Sequence, residues 1–127
     1  MSIERRNYSH LAPPVGPYVH AVRSAGLIFL SGITAYGTSA QGQSLAKQAK
    51  AIFEQINSIA QAEGSSLAAI VKVTIFITSF VEVAQLREVL FQEYGENLPA
   101  SSLVQVAGLF SPEIAIEIEA VLAAPDA

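Results

Sequence analysis

Apolar and polar residues change rhythm several times along this chain, and each change marks an element. From Leu98 to Ala107 the sequence reads Leu-Pro-Ala-Ser-Ser-Leu-Val-Gln-Val-Ala. Beyond Pro99 the positions alternate, with Ser102, Val104 and Val106 on one side and Ser101, Leu103, Gln105 and Ala107 on the other. A period of two predicts a strand with unlike faces. Pro99, with no donor and a fixed φ, suits its mouth and not its middle. The same period runs from Ile70 to Thr78, where Val71, Val73, Ile75 and Ile77 should pack under helices and Lys72, Thr74, Phe76 and Thr78 face the other way. It recurs from Ile114 to Ala123, with Ile114, Ile116, Ile118 and Leu122 opposite Glu117, Glu119 and Val121.

A period near 3.6 takes over between Ser44 and Ala62. Leu45, Ala49, Ile52, Phe53, Ile56, Ile59 and Ala60 form one stripe, which predicts an amphipathic helix closed by Gly64. Ser79-x-x-Glu82 has the form of a capping box opening a second helix, with Val83, Leu86, Leu90 and Tyr94 inward and an end near Gly95. Earlier in the chain, Arg6 to Val15 reads as an edge strand or extended arm leading into Gly16-Pro17. His20–Arg23 and Leu27–Ile33 read as strands joined at Ser24-Ala25-Gly26, and the unbroken Ile28-Phe29-Leu30 asks for cover on both faces. Tyr36 to Gln43, rich in Gly, Ser and Thr, is a loop. The order β-β-β-α-β-α-β-β predicts an α+β domain with helices on one face of a mixed sheet.

Composition sharpens this picture. The chain has 127 residues, one domain's worth, of which 51% are hydrophobic and 14% charged. A small interior cannot hide so much apolar surface, and two helices cover only one sheet face, so self-association is expected. There is no cysteine, which removes disulfides, thiolate metal sites and cysteine nucleophiles. The net charge of −4 and scattered basic residues give no stripe for a phosphate backbone, so no nucleic-acid partner is expected. No apolar run reaches the ~20 residues of a membrane span, and no signal peptide is visible. A cytoplasmic location is therefore expected. Metal, dinucleotide and phosphate-loop motifs are missing, and His10 and His20 lie on different elements, so no metal or cofactor is expected.

The Pro99-Ala100-Ser101-Ser102-Leu103-Val104-Gln105-Val106 stretch resembles the Pro-x-Arg-Ser-x-Val-x-Val motif of the YjgF/RidA family, the reactive-intermediate deaminases. Gly16-Pro17-Tyr18, Ser31-Gly32, Ala62-Glu63-Gly64 and Glu117-Ile118-Glu119-Ala120 resemble that family's other motifs, with Ile33 where its pattern has glutamine. The resemblance runs from Val15 to Ala123. It implies a chorismate-mutase-like domain assembled as a homotrimer with a small-molecule cleft between subunits. In deaminating members an arginine in the cleft grips the carboxylate of an imino or enamino acid while water attacks the imine carbon. Here Ser101 holds that arginine's position.

The resemblance also supplies the candidate residues. Glu117 matches the acidic residue that holds the attacking water; the plain alternative is a solvated strand glutamate beside Glu119. Tyr18 matches a cleft aromatic and would otherwise cap the sheet. Gly32 lets backbone approach a ligand, or marks a bulge. Ser101 is a ligand donor or a strand-start cap. Arg87, where deaminating members carry asparagine, either replaces the missing cation or snorkels at the surface. His20, where many members carry glutamine, reads as an interface or surface residue. The implied activity is hydrolytic deamination of an imine or enamine, weak on ordinary 2-imino acids. The alternative is a non-catalytic small-ligand binder.

Overall fold

A computed structural model describes residues 2–125. Its strands are β1 (Ile3–Arg6), β2 (Ala21–Ser24), β3 (Leu27–Leu30), β4 (Ile70–Ile77), β5 (Ala100–Gln105) and β6 (Ile116–Ala123). Its helices are α1 (Leu45–Ala62) and α2 (Val83–Tyr94), with a short 3-10 turn at Leu67–Ala69. The six strands form one sheet in the order β1-β2-β3-β6-β4-β5. Only β4 and β5 are parallel, and α2 supplies the crossover that a parallel pair needs. The α+β architecture and the order of elements are those expected from the pattern.

The core lies between the sheet and the two helices. Ile28 and Leu30 of β3, Val73, Ile75 and Ile77 of β4, and Ile116, Ile118 and Leu122 of β6 meet Ile52, Phe53, Ile56 and Ile59 of α1 and Leu86 of α2. The opposite sheet face has no covering layer among the described residues. Phe29 and Val104 stand exposed on it, with Phe76 and Val121 half-buried among Lys72, Thr74, Glu117 and Glu119. The second cover asked for by Ile28-Phe29-Leu30 is therefore not supplied by the described residues.

Several local readings need correction. The first strand is Ile3–Arg6, and the polar stretch after it is the extended arm. A β-bulge between Ile70 and Lys72 shifts the register on β6, so Ile70 enters the core and Val71 is turned out. The capping box at Ser79 does not form. Glu82 is the N-cap residue of α2 without a side-chain cap, and its Oε1 instead accepts the Leu45 N–H at 3.0 Å. Together with Ser44 Oγ, which accepts from Lys47 N–H, it satisfies two donors in the first turn of α1. On α2, Val89 is buried with Leu86 and Tyr94, while Val83 and Leu90 are half-buried. The β2–β3 hairpin turns on Ala25 and Gly26, both at positive φ, 54° and 79°. That is the type I′ geometry whose twist matches the flanking strands. No helix among the described residues is long and apolar enough to cross a membrane.

Candidate functional site

Where β3 ends, its ladder with β6 slips. Phe29 pairs with Val121, but the next contact is the bridge of Ile33 to Ile118, one residue out of step. Ser31 N–H continues the β2 ladder to the His20 carbonyl, Ile33 N–H goes to the Ile118 carbonyl, and Gly32 between them belongs to neither ladder. The missing side chain at Gly32 is occupied by another group. A Cβ there would lie 2.8 Å from Cδ of Glu117 and closer still to Oε2, inside any real contact. Gly32 is therefore the notch into which the Glu117 carboxylate folds back from β6.

Glu117 is half-buried and makes no ion pair among the described residues. Burial, and then the charge of Glu119 two residues along the same face, push its carboxyl above the usual carboxylate range. A carboxylate held this way is a better proton acceptor than one in free water.

The carboxylate opens into a cavity of about 340 Å³. The arm between β1 and β2 forms one wall with Pro13, Pro14 and Tyr18, and the loops after β3 and before β6 bring Tyr36 and Phe110. The last two rings meet edge to face, with centroids 5.1 Å apart. Tyr18, Tyr36 and Phe110 remain 46%, 54% and 63% exposed, apolar rings left open at the rim. Among the described residues the lining includes no lysine or arginine.

His20 has a definite task here. Its Nδ1 accepts the Tyr8 N–H at 2.9 Å, and its Nε2 lies 2.8 Å from the Ala12 carbonyl, to which it donates. Its own N–H donates to Asn7 Oδ1. Tyr8 stacks on the imidazole, the two rings only 8° from parallel. His20 is thus the clasp that holds the arm on the sheet, with both ring nitrogens used.

Of the residues singled out from the sequence, Tyr18, Gly32 and Glu117 line this one cavity. Ser101 and Arg87 do not. Ser101 is exposed on β5 at the sheet edge, in register with Val73, and Arg87 is exposed on α2. The aromatic walls Tyr36 and Phe110 were not anticipated. Tyr36 opens the segment read as a loop and Phe110 lies between two predicted strands, and neither stretch has a periodicity to flag it.

The match to known proteins is extensive. The family model described as "Endoribonuclease L-PSP" matches residues 9–124. The 2-iminobutanoate/2-iminopropanoate deaminase of Salmonella typhimurium is 33% identical over 112 residues, covering 84% of this chain and 87% of that protein. The crystal structure of RidA from an Antarctic Psychrobacter superimposes with a TM-score of 0.78 at 33% identity, over 88% of this chain and 93% of that one. Yeast Mmf1 superimposes with a TM-score of 0.86 at 26% identity, over 98% and 100%. On these matches the chain belongs to the YjgF/RidA family, the group described by the endoribonuclease L-PSP model.

Proposed function

We propose that this protein hydrolyses a small imine or enamine in a cleft built around Glu117, and that ordinary 2-imino acids are poor substrates. The observation that carries the reading is an unpaired, half-buried carboxylate at the floor of an apolar cavity, positioned by Gly32. In the reaction Glu117 takes a proton from water as the water oxygen bonds to the imine carbon and the C=N electron pair moves to nitrogen. The nitrogen is then protonated, the C–N bond breaks, and ammonia leaves as the hydroxyl collapses to a carbonyl. No redox partner is required. The name of the Salmonella relative supports the same reaction class. The net charge of −4 speaks against an RNA substrate.

The cavity of one chain is open at its rim, and the helix-free sheet face is uncovered. Assembly as a homotrimer would close both, and would bring the Ser101 and Arg87 positions of a second copy toward the site. Ser101 offers a neutral hydroxyl where an arginine would form two parallel bonds to a carboxylate. Loss of such a desolvated pair costs on the order of 2–5 kcal/mol.

The test supplies freshly generated 2-aminoacrylate to the native protein and to Ser101→Arg. The variant should turn it over at least about tenfold faster, the factor that ~1.4 kcal/mol of recovered binding gives. Equal rates would remove the anchor argument. Arg87→Ala in the native background should change little; a collapse in rate would assign the anchoring charge to Arg87 instead.

Gly32→Ala probes the notch. Gly32 is not at positive φ, so the backbone tolerates alanine, and the atoms displaced are the flexible end of Glu117. Thermal stability should stay within about 1 kcal/mol of native while kcat/KM falls roughly tenfold or more, since displacement of a catalytic group by about an ångström is costly. A loss of folding with activity per folded molecule unchanged would reduce Gly32 to a packing role.

A further inference from the structure

The lining of the cavity carries information about charge. The one formal charge that a single chain contributes to it is the Glu117 carboxylate, which has no ion-pair partner among the described residues. His20 at the wall has both ring nitrogens engaged, with the Tyr8 N–H and the Ala12 carbonyl, so neither is free to meet a ligand. Two of the other polar side chains are turned elsewhere: Ser31 Oγ donates to the Val19 carbonyl and Gln55 Nε2 to the Thr34 carbonyl. Around these stand three exposed aromatic rings, Tyr18, Tyr36 and Phe110, and the Pro13-Pro14 wall. A carboxylate with aromatic faces nearby is the combination that receives a cation with an apolar body. The same carboxylate repels an anion, and repels it more strongly in a half-buried site than in water.

We propose that the cleft takes a cationic substrate without a carboxylate: the protonated imine of an apolar or aromatic amine, its nitrogen beside Glu117 and its body against Tyr18, Tyr36 and Phe110. This rests on the hydrolytic reading above and adds the substrate's charge and bulk. The balance follows directly. The iminium ion and one water give the corresponding aldehyde or ketone and one ammonium ion, with Glu117 accepting the water proton and returning it to the departing nitrogen. A cavity of about 340 Å³ accommodates a single aromatic ring and a short chain. The class of reaction that supplies such a substrate is the oxidation of a primary amine to its imine.

The experiment separates binding from turnover. Benzamidinium, benzamide and benzoate have similar shapes and charges of plus one, zero and minus one, and none is hydrolysed under assay conditions. By titration calorimetry or chemical-shift perturbation, benzamidinium should bind at least tenfold more tightly than benzoate. Glu117→Gln should remove most of that preference while leaving benzamide affinity within about threefold. Benzoate binding as tightly as benzamidinium would overturn the charge assignment. In parallel, the imines formed from benzylamine by an amine oxidase and from alanine by an amino-acid oxidase are supplied to the native protein. Faster hydrolysis of the benzylamine-derived imine is expected. Faster hydrolysis of the alanine-derived imine would overturn the proposal while the hydrolytic reading stands. Selective benzamidinium binding with no acceleration of either imine would uphold the charge preference and overturn the hydrolytic reading beneath it.

Discussion

Glu117→Gln should lower kcat/KM for imine hydrolysis by about 10²–10⁴, the range expected when a positioned proton acceptor is removed. The substitution keeps size and shape, so the protein should fold as before, and circular dichroism and melting checks that. The pH profile carries the finer test. Burial and the neighbouring Glu119 raise the Glu117 carboxyl above its ordinary value. The group works as a base only when ionised, so native kcat/KM should rise with pH, with its midpoint above the ~4.3 of a free glutamate. Glu119→Gln removes a like charge, so the midpoint should move down while the plateau rate changes little. The Glu117→Gln profile should lose this limb altogether. A limb that persists in Glu117→Gln would place the base elsewhere.

The sequence made the core of this fold legible wherever one face was buried along a regular element. The α1 stripe and the alternation of β6 are such cases, because burial acts on every third or fourth residue of a helix and every second residue of a strand. It failed where geometry depends on a distant partner. The bulge at Ile70–Lys72 is set by register on β6, and a one-residue slip exchanges the faces of Ile70 and Val71. Glu82 had the spacing of a local cap, yet it serves α1, 37 residues away. Strand β1, Ile-Glu-Arg-Arg, is mostly exposed and pairs only through β2, so no apolar pattern announces it.

The candidate site divides along the same line. Tyr18, Gly32 and Glu117 were suggested by a resemblance of motifs, and they converge because the β3–β6 ladder slips beside them. That slip cannot be read from Ser31-Gly32 alone. The aromatic rim, and the clasp formed by His20, depend on how two irregular segments cross. No periodicity constrains such segments, so their contacts become visible only in three dimensions.

Glu63→Gln should lower stability by roughly 2–3 kcal/mol, the second large effect expected of a single change. Glu63 follows α1 directly, its side chain only 3% exposed. Its Oε2 accepts the Tyr8 hydroxyl at 2.8 Å and lies 3.4 Å from Arg6 Nε, and its Oε1 lies 3.5 Å from Arg23 Nη1. One carboxylate therefore ties β1, the arm, β2 and the end of α1 together. Burial first, and then the bond to Glu63, push the Tyr8 hydroxyl up, so it stays a donor throughout the working range. Glutamine can still accept from Tyr8, but Arg23 loses the one ion-pair partner it has among the described residues, and Arg6 keeps only the exposed Glu4. Both arginines are partly exposed and recover some hydration, which keeps the cost below that of a fully buried pair. For a chain of this length 2–3 kcal/mol corresponds to a melting point roughly 6–12 °C lower, compared at equal protein concentration. Replacing all three charged residues with apolar ones, as in Arg6→Met with Arg23→Met and Glu63→Leu, should cost less than Glu63→Gln alone, because the two guanidinium groups go with the buried carboxylate, and what is left is the exposed Glu4 without Arg6 and the half-buried Tyr8 hydroxyl without its acceptor. A triple variant that is less stable than the single one would mean that the ion pairs themselves contribute net stability. The cluster and the His20 clasp hold opposite ends of the segment bearing Tyr8, so Glu63→Gln should also loosen the Pro13-Pro14 wall and raise KM more than it lowers kcat.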